Sequence, residues 1–254
     1  MKYILEIKSL TKTFGGLKAV HRVTLAVPDG CIYSLIGPNG AGKTTLFNCL
    51  TGIYDPTKGE IFFKTRSLAR LPPHRRAALG MARTFQNIRL FPDMTALENV
   101  MTGRTCRTRA GVVASLLRTP RMRREEAETR EKALGLLRFM GIAGRADETA
   151  RNLPYAAQRR LEIARALATE PNLLLLDEPA AGMNPQEAAD LMALIRKIRD
   201  DGITILLIEH HMKVVMGISD YVCVLDHGEK IATGAPEEVR KNPRVIEAYL
   251  GKEG

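Results

Sequence analysis

Gly37-Pro38-Asn39-Gly40-Ala41-Gly42-Lys43-Thr44-Thr45 is the stretch whose reading decides the fold. It fits the spacing G-x-x-x-x-G-K-[ST], a pattern that has meaning only between a strand and a helix. Both flanks are present. Cys31 to Ile36 is a short, mostly apolar run that reads as a buried strand, and Leu46, Leu50 and Ile53 follow at helical spacing. The glycines open backbone conformations closed to other residues, so that loop N–H groups can face phosphate oxygens. A helix beginning at the loop adds the positive end of its dipole. Every residue of the stretch is therefore a candidate nucleotide contact. Lys43 would reach the outer phosphates and the Thr44 hydroxyl would hold Mg²⁺.

Composition sets the bounds. The chain has 254 residues, 45% apolar and 26% charged, which is ordinary globular composition for one large core or one domain with a smaller lobe. No apolar run approaches the roughly 18 residues of a membrane span. Tyr3 to Ile7 is too brief for a signal peptide, so the expected compartment is the cytoplasm. Cys31, Cys49, Cys106 and Cys223 are scattered without C-x-x-C spacing and are expected to stay reduced. The net charge of +10 concentrates in Arg104 to Arg124, which holds seven arginines and no acid. That run reads as a solvated basic face or as a surface lying near anionic lipid headgroups. No nucleic-acid recognition motif accompanies it.

Along the chain, Met1 to Gly30 reads as β-rich, with Tyr3, Leu5 and Ile7 and then Val23, Leu25 and Val27 in alternation. Lys12 to Gly16 and Pro28 to Gly30 read as turns. Asp55 to Gly59 breaks the chain before a strand over Glu60 to Lys64. A short helix follows from Pro72, then a strand from Ala82 that closes on Gln86. Ala96 starts another helix. From 101 to about 150 the chain is rich in Arg, Glu and Ala, with Ala133, Leu136, Leu137 and Met140 at helical spacing. This predicts a helical lobe inserted between core segments 1–100 and 151–254. The core resumes with helices over Gln158 to Ala168 and Pro185 to Asp200, and strands over Leu173 to Leu176 and Ile203 to Ile208. Met212 to Ile218 is a helix. Tyr221 to Thr233 is a hairpin turning at Asp226 to Glu229, and Pro236 to Leu250 is a closing helical segment. The alternation predicts α/β layers around a mainly parallel sheet, with an antiparallel β subdomain at the N-terminus.

Leu173-Leu174-Leu175-Leu176-Asp177-Glu178 carries the second chemical signal. Two carboxylates emerge at the C-terminal end of a buried strand, where ligands of open α/β sheets sit. Asp177 is placed to hold the Mg²⁺ shell, and Glu178 to polarise an attacking water.

Leu153-Pro154-Tyr155-Ala156-Ala157-Gln158, Gln86 and His210 complete a set with these two stretches. The set resembles the nucleotide-binding subunits of ABC transporters, in the family's order and over essentially the whole chain. The resemblance implies two subunits joined head to tail, with each ATP between one phosphate loop and the partner's signature segment. It puts Phe14 at the aromatic that stacks on adenine. Gln86 falls at the sensor of metal and water that links to the membrane partner. Tyr155, Ala156 and Gln158 lie in the signature segment, and His210 takes the switch position near the γ-phosphate. Ala181 to Asn184 fills the loop facing the opposite subunit. The stretches Arg159 to Leu167, Ala180 to Pro185, Ile208 to Met212 and Val245 to Gly251 resemble one branch, the ATP-binding subunits of branched-chain amino acid importers. The resemblance implies ATP and Mg²⁺ as cofactors, two integral membrane permease subunits and a second ATP-binding subunit. It further implies an indirect external solute-binding protein, no nucleic acid, and a peripheral place on the cytoplasmic face of the inner membrane. Related branches serve urea or short amides, or lipopolysaccharide export. A soluble ABC ATPase or a low-turnover nucleotide switch would carry the same phosphate loop and carboxylate pair.

The signature of the family is L-S-G-G-Q, and Pro154, Ala156 and Ala157 depart from it. Asn184 stands where many members have Asp. A methyl at Ala156 is expected to crowd the partner's γ-phosphate or restrict the loop, and so to weaken ATP-driven closure or slow turnover. Ala156→Gly should therefore raise the ATPase rate above that of the natural chain; equal rates would remove the idea.

Overall fold

The computed structural model describes residues 2–107, 120–210 and 212–250. Most of the Arg104 to Arg124 run, together with His211 and Gly251, lies outside the described residues.

Two sheets stack around a shared core. The first is antiparallel, in the order β2-β1-β4-β5, formed by β1 (Tyr3–Phe14), β2 (Leu17–Pro28), β4 (Lys58–Phe63) and β5 (Arg66–Ser67). Its first hairpin turns at Gly15-Gly16, with Phe14 opposite Leu17. The expected turn over Lys12 to Gly16 is thus shorter than read, because Lys12 to Phe14 complete the strand ladder. The strand expected from Glu60 starts at Lys58. Gly59 permits this: at its φ of 89° a side chain would meet the Ser9 carbonyl at 2.5 Å.

The second sheet has the order β10-β9-β3-β8-β7-β6. It contains β3 (Ile32–Ile36), β6 (Met81–Arg83), β7 (Leu173–Asp177), β8 (Thr204–Ile208), β9 (Tyr221–Asp226) and β10 (Glu229–Gly234). All pairings are parallel except the β9–β10 hairpin. The fold class read from the sequence is the observed one. In β7 the strand period divides the leucines between two layers. Leu173 and Leu175 join the cluster under the antiparallel sheet with Leu46, Phe47 and Leu50. Leu174 and Leu176 join the opposite cluster, among helical residues. Strands buried on both faces read as continuous apolar runs, which is why Leu173 to Leu176 and Ile205 to Ile208 lack polar positions.

The helices cover the parallel sheet. They are α1 (Lys43–Thr51), α2 (Pro73–Ala78), α3 (Ala96–Gly103), α4 (Pro120–Phe139), α5 (Tyr155–Leu167), α6 (Pro185–Asp200), α7 (Met212–Ile218), α8 (Pro236–Arg240) and α9 (Pro243–Leu250). Ile53 lies beyond α1 because Gly52, at φ 80°, caps the helix end, and Ile53 is exposed. The strand expected to close on Gln86 ends at Arg83. The last ladder bond runs from Thr84 N–H to the Leu175 carbonyl at 3.0 Å. Helix α5 starts at Tyr155 rather than Gln158, since Pro154 stands at its N-cap in extended conformation. The closing helical segment is two helices, interrupted where Pro243 removes an N–H and disfavours helix at Asn242. Helix α3 begins with a reciprocal capping box, Thr95 to Glu98. Leu97, Val100, Ala133, Leu137 and Met140 belong to the same buried cluster as Leu174 and Leu207. The Arg/Glu/Ala-rich segment therefore packs its apolar stripe onto the core of the parallel sheet. Arg104, expected on a solvated face, is buried and paired with Glu170 at 2.9 Å, which holds that carboxyl below its usual range.

Truncating Leu175→Ala opens a void between two fixed layers. It should lower stability by about 2–5 kcal/mol, read as a shift in the urea midpoint, whereas Leu191→Met should cost less than about 1.5 kcal/mol.

Candidate nucleotide and hydrolysis site

β3 runs straight into the glycine loop, and α1 leaves it. Gly42 at φ 96° is the N-cap of α1 and offers no side-chain cap, so the first N–H groups of the helix are left for a ligand. Two glycines are fixed by close backbone approach. A Cβ on Gly37 would lie 2.0 Å from the Leu225 carbonyl oxygen, and one on Gly42 would lie 2.3 Å from that of Ala19. Gly40 has φ 81° with open space around it. The Lys43 ammonium is buried and folds back over the loop, donating to the Gly37 carbonyl at 2.7 Å and the Pro38 carbonyl at 2.9 Å. Burial lowers its pKa, against the opposing pull of Glu178 and Asp177.

The loop forms one wall of a cleft of about 520 Å³. Asn39 to Thr45 line it together with Phe14, Gln86 and Glu178. Phe14 is partly exposed at the rim, edge-on to Tyr54 at 5.2 Å, with the Lys12 ammonium 5.1 Å from its ring. Part of the lining was not foreseen. Leu17, Lys18 and Ala19 reach the cleft from β2, and His227 and Gly228 from the β9–β10 turn. That turn is tied in place, with Gly228 N–H donating to Ala41 O at 3.1 Å and His21 N–H donating to Gly228 O at 2.8 Å.

Three of the sequence candidates converge at the mouth. Gln86 Nε2 donates to Glu178 Oε2 at 3.0 Å, and His210 Nδ1 lies 3.6 Å from the same oxygen. Glu178 adopts a left-handed backbone, φ 46°, uncommon for a residue with a side chain and typical of places where function fixes the geometry. Its N–H donates to Ile208 O at 3.0 Å, which ties the carboxylate to the end of β8. Behind it, the fully buried Glu209 accepts from Ala180 N–H at 3.3 Å and from His210 N–H at 3.2 Å.

Asp177 is held differently. Arg83 Nη2 donates to its Oδ2 at 2.9 Å in a buried pair, and Arg83 Nη1 donates to Asn48 Oδ1 on α1 at 2.6 Å. Burial raises the Asp177 pKa, and the Arg83 guanidinium is the main opposing influence. The Asp177 carboxylate and the Thr44 hydroxyl are hard oxygen donors of the kind Mg²⁺ takes. Among the described residues no cluster of three His, Cys, Asp or Glu side chains surrounds a metal position. This donor set fits an ion completed by substrate phosphates rather than a protein cage.

Tyr155, Ala156 and Gln158 are not brought to this cleft. Gln158 Nε2 donates to Leu153 O at 2.8 Å, and the Tyr155 hydroxyl donates to Ala181 O at 3.0 Å. Asn184 caps α6 in a reciprocal capping box with Glu187, work that Asn performs as well as Asp.

The ABC transporter family profile matches residues 20–181, and that of the branched-chain amino acid ATP-binding cassette transporters matches residues 229–254. The chain is 50% identical over 250 residues to the high-affinity branched-chain amino acid transport ATP-binding protein BraF of Pseudomonas aeruginosa, covering 98% of both. It is 49% identical over 250 residues to the corresponding protein LivG of Salmonella typhimurium, again covering 98% of both. Among solved structures it is similar to an ATP-binding cassette of an ABC transporter in its ADP conformation. That similarity has a TM-score of 0.85 and 32% identity, covering 99% of this chain and 100% of that one. No described helix is long and apolar enough to cross a membrane.

The two loop glycines with backbone at the Cβ position should be intolerant. Gly42→Ala should abolish nucleotide binding in a titration calorimeter, while Gly40→Ala should cost only about 1–2 kcal/mol of backbone strain and keep measurable binding.

Proposed function

We propose that this chain, which belongs to the ABC transporter family and is an ATP-hydrolysing transporter subunit, powers high-affinity import of branched-chain amino acids. The observation that carries the solute class is the full-length similarity to branched-chain amino acid transport subunits, extended by the match over residues 229–254. The cleft is lined by the glycine loop, Phe14, Gln86 and Glu178, a nucleotide lining, and the solute is selected by other subunits. The chain works as one ATP-binding unit, with the segment of about 101–150 inserted in it.

The site supports the following chemistry. The loop N–H groups, the N-terminus of α1 and Lys43 bind and neutralise the phosphates. Phe14 presents a ring face for the base. Thr44, Asp177 and Gln86 are the residues that would hold Mg²⁺, which when bound neutralises charge on the β- and γ-phosphates. Glu178 accepts a proton from the attacking water, and its place is set by Gln86 on one side and His210 on the other. Catalysis here is positioning and charge stabilisation rather than covalent chemistry.

Tyr155, Ala156 and Gln158 lie apart from their own chain's cleft. This fits a head-to-tail pair in which the signature segment serves the partner's ATP. The partner is a second ATP-binding chain, and two integral membrane permeases complete the assembly at the cytoplasmic face.

Glu178→Gln should lower steady-state hydrolysis by about 10² or more while ATP still binds. In cells lacking the natural gene it should fail to restore uptake of labelled leucine that the wild-type chain restores. Undiminished turnover would withdraw Glu178 from its role, and unchanged leucine uptake on deletion would withdraw the solute.

A further inference from the structure

A buried charge cluster stands behind the glutamine of the site, on a helix that lines no part of the cleft. Arg159 on α5 is fully buried. Its guanidinium donates to the Phe85 carbonyl at 2.7 Å through Nη1 and to the Gln86 carbonyl at 2.7 Å through Nη2. Glu162, one turn along and also buried, accepts from Arg159 Nη1 at 2.8 Å. Its other oxygen faces the Phe85 N–H at 3.4 Å and the Arg89 N–H at 3.2 Å. The segment from Phe85 to Arg89 is thus gripped by its carbonyls and its amides from one ion pair. The Tyr155 hydroxyl extends the grip. It accepts from Arg159 Nη2 at 3.1 Å and donates to Ala181 O at 3.0 Å, in the loop that follows Glu178.

Burying an arginine and a glutamate is costly unless their hydrogen-bonding groups are used. Here two guanidinium donors and one carboxylate oxygen are spent on the backbone of the segment that carries Gln86, and two further donors go to Glu162 and Tyr155, while Arg159 Nε has no partner among the described residues. We propose that Arg159, braced by Glu162 and Tyr155, is a positioning residue. It fixes the Gln86 backbone so that the Gln86 amide meets Glu178, and it ties that contact to the start of α5 and to the loop after Glu178. The proposal rests on the assignment of Gln86 and Glu178 to the hydrolytic site.

A double-mutant cycle on the full chain, assembled with its partners, tests it. Tyr155→Phe keeps the ring and removes the bridging hydroxyl; Arg159→Lys shortens the donor. Each should lower kcat by roughly 3- to 10-fold with KM for ATP little changed. In a Gln86→Ala background the same substitutions should lower kcat less than about twofold. Losses that multiply undiminished in that background, or no loss in either, overturn the proposal. If Arg159→Lys fails to fold, Tyr155→Phe carries the cycle. Amide hydrogen exchange across residues 85–89 reads the tether without nucleotide. It should quicken in Tyr155→Phe, and unchanged exchange overturns the tether. A wild-type chain that binds no ATP while those amides respond would instead sink the assigned function and leave the tether standing.

Discussion

One row across the parallel sheet decides where everything chemical lies. Leu35 of β3 pairs with Ile208 of β8, and Ile208 pairs with Asp177 of β7. On the far side Leu35 pairs with Cys223 of β9. Parallel register makes these strands end together. The three exits are the glycine loop, the Glu209-His210 pair and Asp177-Glu178. A one-residue slip in either pairing would turn side chains to the opposite face and separate the carboxylates from the loop. The buried leucines and isoleucines on both faces resist that slip, so packing in the core is what aligns the site.

The second layer of order is polar and costly. Arg83 with Asp177, Arg159 with Glu162, and Glu209 are buried or nearly so. Breaking a buried pair by removing one partner costs about 3–5 kcal/mol, while the intact pair contributes little net stability. Such groups are therefore better understood through what they hold. Arg83 joins β6 to α1 and to Asp177, Glu209 shapes the turns on either side of His210 and Ala180, and Arg159 grips the Gln86 segment. Each one is bonded to a candidate site residue: Asp177, the His210 backbone or the Gln86 backbone. The rim of the cleft is likewise fixed by backbone hydrogen bonds, from Gly228 to Ala41 and from His21 to Gly228.

The glycine loop, the strand of four leucines and the carboxylates after it were legible because each combines an unusual residue pattern with a length that allows one structure. The fold class followed from alternation of strand and helix periods. What escaped the sequence was long-range. Glu162 sits in Leu161-Glu162-Ile163-Ala164, a charge inside an apolar run, and that was a readable sign of a buried partner whose identity only the fold supplies. Arg83 gave a similar sign between Ala82 and Thr84. His227 and Gly228 read as a plain hairpin turn, since nothing local says that the turn touches Ala41. Element ends were misplaced where tertiary bonds or a proline decided them, as at Arg83, Tyr155 and Asn242. Tyr155, Ala156 and Gln158 were assigned to nucleotide through a resemblance, and in one chain they stand away from the cleft.

The most direct measurement is isolation of the tagged chain from detergent-solubilised native membranes, with its partners identified by mass spectrometry. The account predicts two integral membrane proteins and a second ATP-binding chain, recovered together in fixed ratio. Recovery of soluble partners alone, such as ribosomes or DNA-bound factors, would contradict it.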